Sequence, residues 1–84
     1  MHLRKQKKII NKRRNKMFRT VYRITYRDEF GNIGFTPDYT VICHNVNTLL
    51  LTDSELIIGG KNSFKKINPH LQVVSISVAS NEQV

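Results

Sequence analysis

The chain has 84 residues, a formal net charge of +8 at pH 7 and one cysteine. That length holds one small domain with a core of marginal stability, and a lone Cys43 excludes an internal disulfide and suits a reducing, cytoplasmic setting. The longest apolar runs, Leu49 to Leu51 and Leu56 to Ile58, fall far short of the roughly 20 residues that cross a bilayer, and the basic N-terminus lacks the apolar stretch of a secretory signal.

The charge is unevenly placed. Residues 1 to 16 carry Arg4, Lys5, Lys7, Lys8, Lys12, Arg13, Arg14 and Lys16 and no acid. The remainder balances Arg19, Arg23, Arg27, Lys61, Lys65 and Lys66 against Asp28, Glu29, Asp38, Asp53, Glu55 and Glu82. Three segments follow: a basic arm (1–16), a small β-rich domain (17–78) and a polar tail (79–84). Self-repulsion predicts an arm that is disordered until an anion neutralises it, or helical when bound. Leu3, Ile10 and Met17 align at seven-residue spacing, but Lys7 and Arg14 sit beside that stripe.

From Phe18 the chain alternates. Phe18, Thr20, Tyr22, Ile24 and Tyr26 occupy one register and Arg19, Val21, Arg23, Thr25 and Arg27 the other. Four-residue arginine spacing fits helix or strand, but β-branched and aromatic residues favour a strand with the arginines outward. DEFGN, residues 28 to 32, offers Gly31 and Asn32 for a hairpin turn. Ile33 to Phe35 begins the return, Pro37 with Asp38 interrupts it, and Tyr39 to His44 resumes with Tyr39, Val41 and Cys43 opposite Thr40, Ile42 and His44.

Thr48 to Thr52 and Glu55 to Ile58 read as a further hairpin ending at Gly59 and Gly60. Thr52 and Glu55 also have capping-box spacing, yet three apolar residues before two glycines favour strand. Asn68 and Pro69 make a turn. Leu71 to Val78 then places Val74, Ile76 and Val78 on one face and Val73, Ser75 and Ser77 on the other. The expected fold is mainly β: a small antiparallel sheet or partly open barrel of five or six short strands.

Chemistry-bearing residues give weak enzymatic signals. Cys43 and His44 are strand neighbours pointing to opposite faces, so they form no nucleophile and base pair. His44 and His70 are the right types for a small ribonuclease, without supporting spacing. The carboxylates fall in predicted turns. No metal-ligand or phosphate-loop spacing is present, so no cofactor or metal is expected.

The basic arm is the strongest signal. Its cations neutralise phosphates and release counterions, giving salt-sensitive, largely sequence-independent binding. Arg19, Arg23 and Arg27 extend it onto the body at roughly 13 Å intervals, and Lys61, Lys65 and Lys66 form a second patch. Tyr22 and Tyr26 read as core in preference to base platforms, because they share a register with Phe18 and Ile24. The expected function is a non-enzymatic, nucleic-acid-binding protein with RNA favoured over DNA. Its setting would be the cytoplasm, in a ribonucleoprotein or as a viral factor. The abundant Lys, Asn and Ile, with codons rich in adenine and uracil, suit an AT-rich genome such as a bacteriophage's. A second reading is an inhibitor or adaptor whose sheet edge, Val73 to Val78, pairs with a protein partner. A third is the small ribonuclease. Homo-oligomerisation would help so small a core.

Overall fold

The computed structural model describes residues 16–84; the arm assigned to residues 1–16 lies outside the described residues except for Lys16. Three long strands and one helix replace the expected five or six short strands. β1 is Met17–Arg27, β2 Ile33–His44, α1 Asp53–Ile67 and β3 Gln72–Gln83, with a single 3-10 turn at Thr48–Leu50. The antiparallel sheet has the order β2-β1-β3. β1 is therefore central, and α1 covers one face only.

The β1–β2 turn is built from the sequence DEFGN. Asp28 N–H donates to the Asn32 carbonyl at 2.9 Å, and Gly31 N–H to the Asp28 carbonyl at 3.1 Å. Gly31 adopts φ +85°, a left-handed conformation that only glycine takes cheaply. Of the two residues expected to supply positive φ, Gly31 does so and Asn32 does not. The Asp28 carboxylate accepts the backbone N–H groups of Phe30 and Asn32 at 2.9 and 2.8 Å. These bonds hold its pKa below the ordinary 3.8, the Asn32 backbone bond contributing most.

Pro37 does not end the return strand. β2 is an edge strand, where a missing N–H can face away from the ladder, and the register slips by one residue between the Tyr22 and Ile24 pairings. That bulge absorbs Pro37 and Asp38. A second correction concerns β3, whose register shifts between the Thr25 and Tyr26 pairings. Val73, not Val74, consequently joins Ile76 and Val78 against the core, and Val74 is exposed. Residues 79–83, expected in the polar tail, continue β3, with Ser80 to Gln83 paired to Val21 through Phe18.

The largest departure is α1. The capping box that competed with the strand reading is formed in full: Glu55 N–H donates to Thr52 Oγ1 at 3.2 Å, and Thr52 N–H to Glu55 Oε1 at 2.9 Å. Gly59 and Gly60 lie inside the helix instead of ending it. The stripe facing the sheet is Leu56, Gly60 and Phe64, at four-residue intervals, as helical geometry requires. At the end, Asn68 caps through its backbone N–H to the Phe64 carbonyl, 2.9 Å, and Pro69 follows. Asp53 and Glu55 in the first turn and Lys65 and Lys66 in the last complement the helix dipole.

The core sits between α1 and the sheet, with Tyr22, Ile24, Leu56 and Phe64 buried at its centre. Tyr22 packs where Gly60 lacks a side chain, since an added Cβ would lie 2.5 Å from the ring. The Tyr22 hydroxyl donates to the Leu56 carbonyl at 2.6 Å. Gly34 leaves comparable room for the Tyr26 ring. At the far end of β1, buried Thr20 and Thr48 share Asn81: both hydroxyls donate to its Oδ1, at 3.1 and 2.7 Å, and its Nδ2 donates to the Thr48 carbonyl at 2.9 Å. Among the described residues no buried side-chain polar atom lacks a partner, so this polar knot ties the 3-10 turn to the sheet at little cost.

Candidate nucleic-acid interface

Alternation along β1 sends Phe18, Thr20, Tyr22, Ile24 and Tyr26 to the helix side and Arg19, Val21, Arg23, Thr25 and Arg27 to the uncovered side. Burial follows this division: Phe18, Thr20, Tyr22 and Ile24 are buried, whereas Arg23 and Arg27 are exposed. The predicted arginine row thus lies along the middle strand of the open face.

Its three members are not equivalent. Arg19 faces Glu82 across the β1–β3 pairing and forms an ion pair with it. No ion pair among the described residues occupies Arg23 or Arg27. Arg23 is paired with Ser77 and Arg27 with Gln72 and Ile33. Asp28, the acid nearest Arg27 in sequence, is turned into the amides of its own turn.

The lysines stand elsewhere. Lys16 is exposed just before β1, while Lys61, Lys65 and Lys66 are exposed on α1, whose inward stripe is Leu56, Gly60 and Phe64. The three α1 lysines therefore lie on the opposite side of the sheet from the arginine row, as a patch separate from it. Arg4, Lys5, Lys7, Lys8, Lys12, Arg13 and Arg14 fall outside the described residues.

The open face also carries aromatic and aliphatic side chains that sequence reasoning left out of the site. Phe35 is paired with Thr25 and is 59% exposed. The two diagonal positions on β1 are Arg23 and Arg27. Ile33, opposite Arg27, is 58% exposed, and Phe30 in the adjoining turn is 81% exposed. The signal was available: once Gly31 sets the turn, counting back from Arg27 and Ile33 places Phe35 in the arginine register.

Tyr22 and Tyr26 are not available as platforms. The Tyr22 ring is only 3% exposed, and burial, with smaller contributions from Cys43 and Tyr39, pushes its hydroxyl above the ordinary value of 10.0. Tyr26 stacks obliquely on Phe64 with centroids 5.6 Å apart.

Cys43 is half-buried on the helix side opposite Phe18, at the margin of a small cavity of about 130 Å³ lined with Val41, Leu51 and Leu56. His44 is exposed opposite Met17, on the other side of the sheet. His70 lies beside Gln72, which pairs with Arg27 at the opposite end of β1. Ten residues separate those ends, roughly 33 Å of strand, so His44 and His70 do not form a catalytic pair. Comparison with protein-family models, curated proteins and solved structures finds no match for this chain.

Proposed function

We propose that the protein binds nucleic acid, RNA in preference to DNA, by laying its basic arm along phosphates and continuing that track with Arg23 and Arg27 on the open sheet face. The observation that carries this reading is the pair of exposed arginines without acid partners, on the strand that directly follows the basic segment. A phosphate track is the arrangement such charges serve best, because each neutralised phosphate releases counterions. Arg19, committed to Glu82, contributes less. Lys61, Lys65 and Lys66, on the far side of the sheet, form a separate patch whose last two members already complement the helix C-terminus.

The test is fluorescence anisotropy on single-stranded RNA, duplex RNA and duplex DNA across a salt series. It compares the full chain with a version lacking residues 1–15, which hold seven of the fourteen basic residues. Truncation should lower the salt slope by up to about 5, at roughly 0.7 per phosphate released from a single strand. Absence of binding by the full chain at moderate salt would overturn the reading.

A second reading, a protein-binding inhibitor or adaptor, is favoured by one observation. β3 is an edge strand of twelve residues with neither proline nor lysine to discourage pairing. Co-sedimentation of the nuclease-treated protein with a partner would favour it.

A further inference from the structure

We propose that the hairpin end of the open face is a platform for single-stranded nucleic acid, one base stacking on Phe35 while phosphates on either side engage Arg23 and Arg27. The proposal rests on the nucleic-acid reading above and names the form of strand that this face accepts.

Three observations converge on it. Phe35 presents an exposed ring on a sheet face that α1 does not cover. Phe35 belongs neither to the buried core nor to the side chains packed against it, and base–aromatic stacking with backbone neutralisation is the usual chemistry of single-strand sites. Secondly, the geometry fits a strand and not a duplex. The two arginines stand roughly 13 Å apart along β1, with Phe35 between them on the neighbouring strand about 4.8 Å away. A base reaches the ring only if it is splayed from its partner, as in single strands and loops. Thirdly, the support is rigid: β1 is paired on both sides, and Gly34, next to Phe35, lies under the Tyr26 ring, so the peptide carrying Phe35 is fixed from below.

Charge selects this occupant over a second copy of the chain. Two such faces packed together would oppose four arginines lacking acid partners, whereas a polyanion meets them with complementary charge.

The experiment uses the full chain and measures affinity for a labelled single-stranded RNA and for a duplex RNA with the same number of phosphates. A second single strand carries 2-aminopurine, whose fluorescence reports stacking. Phe35→Leu keeps an apolar residue at an exposed edge position, and far-UV circular dichroism checks its fold. It should weaken single-strand binding about tenfold or more, within the range for one stacked base. Duplex binding and the salt slope should stay unchanged, and the 2-aminopurine quenching should disappear. Phe35→Tyr should retain wild-type affinity. Wild-type single-strand affinity and quenching in Phe35→Leu would overturn the platform while leaving phosphate binding intact. Binding of neither RNA by the wild type would remove the nucleic-acid reading itself. A stable dimer by sedimentation that Phe35→Leu dissociates would assign the face to a second copy and overturn the proposal.

Discussion

Gly59 and Gly60 are neighbours in α1, yet a methyl group added to each meets different surroundings. At Gly59 there is nothing within 4 Å, whereas at Gly60 the new atom lies 2.5 Å from the Tyr22 ring. Glycine inside a helix costs roughly 0.5–1 kcal/mol relative to alanine. Gly59→Ala should therefore raise stability by about that amount. Gly60→Ala should lower it by about 1–2 kcal/mol, because overpacking against a buried, hydrogen-bonded ring outweighs the helix gain. Urea denaturation of the two variants reads the opposite signs; stabilisation by both would contradict the packing described. Tyr22 supplies a pH signature as well. Its folded pKa is raised, so its contribution is fully present below the unfolded value near 10 and is lost as pH rises through the higher folded value. Tyr22→Phe should cost about 1 kcal/mol at neutral pH and lose less stability than wild type in alkali.

At the scale of elements, the alternation of β1 was legible because it has one buried and one open face, so its period is clean. The hairpin turn was legible through Asp28 and Gly31. Strand lengths were not. Pro37 marks a bulge on an edge, and the polar residues after Ala79 pair with β1, so neither carries the composition of a continuous strand. The helix was missed for a specific reason: Gly60 serves as space for Tyr22, a tertiary demand that locally reads as a terminator. Thr52 and Glu55 held the correct signal. Thr52→Ala should accordingly destabilise by about 1 kcal/mol, read as a shift in the thermal midpoint. Bonds from Thr52 hold the Glu55 pKa below its ordinary 4.5, and turn amides hold Asp28 below 3.8. Both contributions are present above those values and lost as pH falls through the folded ones. Glu55→Gln and Asp28→Asn should each flatten the acid limb of a stability–pH curve.

At the scale of the whole molecule, one helix on a three-stranded sheet leaves the other sheet face without a layer to cover it. An antiparallel sheet tolerates this when the open face is polar, and here it bears arginines, serines and threonines but also the exposed Met17, Ile33, Phe35 and Ile42. The arginine row was legible in sequence, and its company becomes so once the turn is placed: from Arg27 opposite Ile33 the register runs unbroken to Phe35 opposite Thr25, before the Pro37 bulge. Charge alone marked the lysines of α1 as a second patch without saying where it stands, and the topology puts them on the helix side, across the sheet from the arginines. On the proposed function a polyanion meets two basic sides, and among the described residues only the open face carries an aromatic ring between cations that form no ion pair. The most direct measurement is a side-chain NMR titration of the full chain with single-stranded RNA. The Phe35 ring and the Arg23 and Arg27 Nε–H signals should shift together and saturate at one concentration, while the Lys61 and Lys65 methylenes stay unmoved. Shifts confined to Lys61, Lys65 and Lys66, with the Phe35 ring unchanged, would contradict the open face as the binding surface.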